Sequence, residues 1–103
     1  MNKKEAVRNL SNPKDFDVFK NMYLKKYSDA KENVAKLYSE NDLDGLLNYL
    51  QGINNISLNV GSAFLKNDTD YVIDKIKKGE LSPNDLEALS ETLDNVYSEL
   101  RIL

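Results

Sequence analysis

Histidine and cysteine are both absent from the 103 residues. Without imidazole, no side chain in its ordinary state titrates near neutral pH. That removes imidazole acid–base catalysis, imidazole metal ligation and phosphohistidine chemistry. Without thiols there is neither a disulfide framework nor a thiolate metal site. Glycine and proline are scarce, at four and two, so few positions break a helix and long helices are favoured over a many-turn β fold. Charge of either sign is missing from Gly45 to Leu65, although the chain as a whole is 30% charged. That window is long enough to span a bilayer. However, Asn48, Gln51, Asn54, Asn55 and Asn59 would carry unpaired amides into lipid, at a cost of several kcal/mol in total. The stretch EAVRNLSNPKDFDVF lacks the apolar run of a signal peptide. A cytoplasmic protein without membrane insertion is expected.

What is present fits one packed domain spanning 1–103. Hydrophobic content of 41% suffices for a single core, and the length leaves no room for a second. A net charge of −3 gives no cationic footprint for a nucleic acid.

The apolar spacing is helical throughout, with no alternating strand pattern and no internal repeat. Ala6, Val7 and Leu10 suggest a short N-terminal helix, and Asn12-Pro13 reads as a helix start. Phe16, Phe19, Tyr23, Tyr27, Ala30, Val34 and Leu37 then fall at steps of three and four, predicting one helix from Lys14 to about Ser39. Glu40-Asn41-Asp42 marks a break and a new N-cap. Leu43, Leu46, Leu47, Leu50 and Ile53 form the next stripe, with Ser57 and Val60 near its far edge, and Gly61 bends or interrupts the helix. A third helix carries Leu65, Val72 and Ile76 and stops at Lys77-Lys78-Gly79. Ser82-Pro83-Asn84-Asp85 combines an N-cap serine, an N1 proline and an N3 acid resembling a capping box. Leu86, Leu89, Leu93, Val96 and Leu100 follow. The expected fold is all-α: an antiparallel up-down four-helix bundle, with the short N-terminal helix in addition. The six tyrosines are expected at amphipathic edges, rings partly inside and hydroxyls in water.

On a helix that turns 100° per residue, Leu50 facing the bundle puts Gln51 on the shoulder. Asn48, Gly52, Asn55, Leu58 and Asn59 lie near it. Thirteen asparagines make an amide-rich surface ordinary in this chain. The sharper reading is a docking face, because uncharged surface is cheaper to dehydrate than lysine or glutamate, and Gly52 would let a partner approach the backbone. A carboxamide is neither a useful base nor a nucleophile, so catalysis is not expected. The i,i+2 acid pairs Asp68/Asp70 and Asp42/Asp44 diverge on a helix and suit caps and solvated faces. Ser57 and Thr69 point toward helix contacts, away from modification. No metal site and no cofactor are expected.

The segment resembles the histidine-containing phosphotransfer (HPt) family, in which the second helix of a four-helix bundle carries a phosphorylated histidine. Aligned on that pattern, Leu50 precedes the site, Ile53 stands at +2, Val60 at +9, Gly61 at +10 and Ser62 at +11. Asp42 opens the helix, and Lys77-Lys78-Gly79 resembles the close of the next one. The similarity covers roughly Phe16 to Leu100. The phosphoacceptor position is Gln51, the accompanying lysine is Asn54 and the glycine is Asn55. The resemblance therefore implies an inactive member. Such a protein would dock a response-regulator receiver or a histidine kinase through Asn48, Gln51, Gly52, Asn54, Asn55, Leu58 and Asn59, as monomer or dimer, without transferring phosphate. A small cytosolic four-helix bacteriocin-immunity-type protein is the alternative. It matches in length and helical content, and abundant Lys, Asn, Tyr and Ile suit an AT-rich bacterial coding bias.

Overall fold

The computed structural model describes residues 15–103, and these are all-helical, with no strand among them. The expected N-terminal helix and the Asn12-Pro13 start lie outside the described residues. Five α-helices follow in order: α1 Asp15–Lys26, α2 Ala30–Ser39, α3 Leu43–Ser57, α4 Ala63–Lys78 and α5 Pro83–Ile102. A single 3₁₀ turn, Leu58–Val60, separates α3 from Gly61 and α4.

The single helix expected from Lys14 to Ser39 is two helices, broken at Tyr27–Asp29. Its apolar spacing runs unbroken across the gap, because Tyr27 and Ala30 are both buried. What stops the helix is Ser28-Asp29, two residues whose short polar side chains favour turns and caps over helix interiors. Asp29 takes the N-cap position of α2, and Glu32 falls three residues later, the spacing of a helix start.

The other boundaries follow the local chemistry. Three connections between helices share one closure, a residue in the left-handed region with the next N–H reaching back five residues. Asn41 (φ 56°) precedes the Asp42 N–H that donates to the Leu37 carbonyl at 2.9 Å. Gly61 (φ 78°) precedes Ser62 N–H to the Ser57 carbonyl at 3.0 Å, and Gly79 (φ 69°) precedes Glu80 N–H to the Lys75 carbonyl at 2.9 Å. Each next helix is then capped. Asp42 accepts from Gly45 N–H and Ser62 from Leu65 N–H. Ser82 and Asp85 close a reciprocal capping box, at 3.0 Å and 3.4 Å. The bond from the Ser82 backbone, foremost, holds the Asp85 carboxyl below its usual range.

The core runs through every helix: Phe16 and Tyr23 from α1, Val34 from α2, Leu46, Leu50 and Ile53 from α3, Leu65 and Val72 from α4, Leu89, Leu93 and Leu100 from α5. α3 packs most extensively on α4. α4 also packs on α5, α5 on α2 and α2 on α3, while α1 lies against the 3₁₀ turn and α5. Two tyrosines depart from the edge role expected of them. Tyr23 and Tyr27 are buried, and the Tyr27 ring lies tilted against Tyr23 and edge-on to Tyr49, with ring centroids 5.3 Å and 5.6 Å away. Burial pushes the Tyr23 phenol far above its usual range. Among the described residues, no helix is long and apolar enough to cross a membrane.

Candidate docking face

The charge-free window comprises most of α3, the 3₁₀ turn and the first residues of α4. Much of its lack of charge is structural, since Leu46, Leu50, Ile53, Ile56, Ser57, Val60, Gly61, Ser62 and Leu65 are all buried. A helix pressed by neighbours on both flanks keeps only a narrow outer ridge for solvent. On that ridge stand Asn48 and Asn55, both exposed, with Asn59 half-buried at its end. Gln51 is half-buried on the shoulder, as expected, and Leu58 is exposed beyond it.

The two remaining candidates do something different. Asn54 is turned into α4. Its amide nitrogen lies 3.2 Å from the Lys66 carbonyl, 2.8 Å from Thr69 Oγ1 and 2.7 Å from Asp70 Oδ1. The Lys66 carbonyl and the Asp70 carboxylate can only accept, which fixes the nitrogen on that side. Lys66 Nζ in turn grips both oxygens of Asp70 at 2.9 Å. The Lys66 ammonium, ahead of the Asn54 amide, holds the Asp70 carboxyl below its usual range.

Gly52 faces the opposite flank, where an added Cβ would lie 2.6 Å from the Tyr27 hydroxyl oxygen. The open backbone expected to admit a partner is thus taken by the protein's own tyrosine. Glycine is needed there because the buried Tyr27 ring, set against Tyr23 and Tyr49, cannot retreat cheaply.

Beside Gly52 a groove of about 260 Å³ opens between α1 and α3, walled by Phe19, Met22 and Lys26 on one side and Gly52, Asn55 and Ile56 on the other. Met22 and Val18, one turn apart on α1, are 48% and 58% exposed. Neither belongs to the stripe traced from the sequence. The signal was available, because both are apolar residues lying off the Phe16–Phe19–Tyr23 face.

The other polar groups singled out have structural employment. Asp42 caps α3, Asp68 accepts from the Thr92 hydroxyl, and Asp70 is held by Lys66 and Asn54. Ser57 and Thr69 are fully buried, donating to the Ile53 and Leu65 carbonyls at 2.7 Å each. A second hollow of about 250 Å³, between α4 and α5, includes Asp68, Tyr71 and Asp85. Its two acids are the ones already engaged with Thr92 and with the α5 cap. Among the described residues no cluster of acids could hold a metal ion. Compared with family models, with curated proteins and with solved structures, the chain matches none.

Proposed function

We propose that the chain is a pseudo-phosphotransfer module of two-component signalling, which docks a response-regulator receiver domain or a histidine kinase and passes no phosphate. The reading takes α2, α3, α4 and α5 as an antiparallel up-down four-helix bundle with α1 laid outside it. The circuit of packing from α2 to α3, α4, α5 and back to α2 supports this, as do the short connections. In that frame Gln51 stands on the second helix of the bundle, where the resembled family keeps its phosphoacceptor.

The observation that carries the reading is Gln51 itself: half-buried on the shoulder of α3 and flanked by uncharged, exposed Asn48 and Asn55. Phosphorelay needs a nitrogen lone pair available near neutral pH, as imidazole provides. The Gln51 nitrogen lone pair is delocalised into its amide, so attack on an acyl phosphate does not occur. Asn54 stands at the lysine position and spends its amide on α4, while the nearby Lys66 is committed to Asp70. Docking survives these losses, because it rests on helix shape and dehydration of an uncharged surface.

Two experiments test the reading. Titration of the purified protein into a panel of receiver domains by calorimetry should give binding without transfer of labelled phosphate. The triple variant Gln51→His, Asn54→Lys, Asn55→Gly should accept phosphate from a phosphorylated receiver. Silence in the titration across the panel rejects the function, and a restored site that stays unphosphorylated rejects the family frame.

A further inference from the structure

The outer face of α3 has two shoulders, and they differ in what they can offer a partner. On the Gln51 side the neighbouring polar groups, Asn54, Lys66 and Asp70, are bonded to one another. On the other side the α1–α3 groove is lined by Phe19 and Ile56 together with the exposed Met22. Lys26 is the single charged residue among those lining it. It stands at the Tyr27–Gly52 end, its ammonium 5.6 Å from the Tyr27 ring centroid. Among the described residues it forms no ion pair. A lysine in the last turn of α1 suits the helix dipole. Its place at the end of an apolar slot adds something the dipole does not require: an electrostatic direction.

We propose that this groove, rather than the surface over Gln51, is the centre of the docking site. Its occupant is an amphipathic helix of a partner protein. One large aliphatic or aromatic side chain of that helix enters between Met22 and Asn55, and a carboxylate about one turn further on pairs with Lys26. Charge complementarity fixes the chemistry. The wall contributed by α3 carries no charge that could repel or attract, so Lys26 alone orients the incoming helix. A groove of about 260 Å³ holds one such side chain with room to spare, and Met22 can adapt its shape to the guest. The inference rests on the docking reading above and narrows it to one face and one partner chemistry.

The probe is a synthetic amphipathic peptide of roughly four turns, with a leucine stripe and one glutamate beyond it, titrated into the isotope-labelled full chain while amide shifts are mapped. Shifts should centre on Met22, Gly52, Asn55 and Asn59, and the glutamate peptide should bind at least about tenfold more tightly than its lysine counterpart. Lys26→Glu should reverse that preference, and Met22→Asp should abolish binding of both with thermal unfolding unchanged. Equal binding of the two peptides, or shifts away from the groove, overturns the proposal. The same map with a receiver domain separates the two claims. A footprint on Gln51 and Leu58 with a silent groove overturns this inference and leaves the docking function standing. A groove that takes the peptide while every receiver is silent does the reverse. If Met22→Asp changes the protein's own sedimentation, a second copy is the occupant and the partner helix is wrong.

Discussion

The two flanks of α3 solve the same packing problem in opposite ways. Toward α4 the contact is closed by polar chemistry: the two N–H groups of one carboxamide, Asn54, are shared among three acceptors on the neighbouring helix, and an ion pair seals the outside. Toward α1 it is closed by shape, with a missing side chain at Gly52 receiving the tip of a buried tyrosine, and the remaining space is left as a groove. The first arrangement leaves its polar groups bonded at home and little to offer a partner. The second leaves apolar surface open and one lining cation, Lys26, without an ion pair among the described residues. Amides of identical chemistry therefore play different parts one residue apart, Asn54 as a strut and Asn55 as surface. Neighbouring geometry sets the role.

The contrast can be broken or sharpened by substitution, beginning with the largest expected effect. Tyr27→Ala removes the ring that joins Tyr23 to Tyr49 and should cost about 3–5 kcal/mol in urea denaturation. Asn54→Ala removes the amide's bonds across to α4, the one to the Asp70 carboxylate among them, and should cost about 1–3 kcal/mol. Gly52→Ala should cost about 1–2 kcal/mol by overpacking. Repeating it in a Tyr27→Phe background should recover most of that, since only the hydroxyl is in the way, and additive losses would refute the close approach. Acid titration gives a smaller effect. Because the folded-state Asp70 carboxyl lies below its usual range, its contribution is complete above about pH 5 and fades as pH falls through the folded value. The stability gap between the protein and Asp70→Asn should therefore narrow toward about pH 2, and a gap that widens there reverses the assigned sign. Smallest of all, Asn48→Ala and Asn55→Ala should lie within about 0.5 kcal/mol of the parent in stability, while Asn55→Lys should weaken docking.

Much of the helical layout was legible in the sequence, because helix starts and stops are local events. Ser82-Pro83-Asn84-Asp85 names its own cap, and Lys77-Lys78-Gly79 its own stop, without reference to anything distant. The break at Tyr27–Asp29 was missed because apolar periodicity persisted through it, and Ser28-Asp29 is a weaker signal than glycine or proline. At the site, the shoulder position of Gln51 could be read from 100° steps alone. The roles of Gly52 and Asn54 could not, since each depends on a residue far along the chain, Tyr27 in one case and Lys66, Thr69 and Asp70 in the other. Periodicity reports which way a side chain leaves its own helix. It does not report what waits there.

The most direct test holds the unmodified protein and a phosphorylated receiver domain in one titration, with heat and labelled phosphate followed together. Saturable binding with all label retained on the receiver is the expected result. Label appearing on this chain, or no heat at any receiver concentration, contradicts the proposal that recognition persists here without transfer.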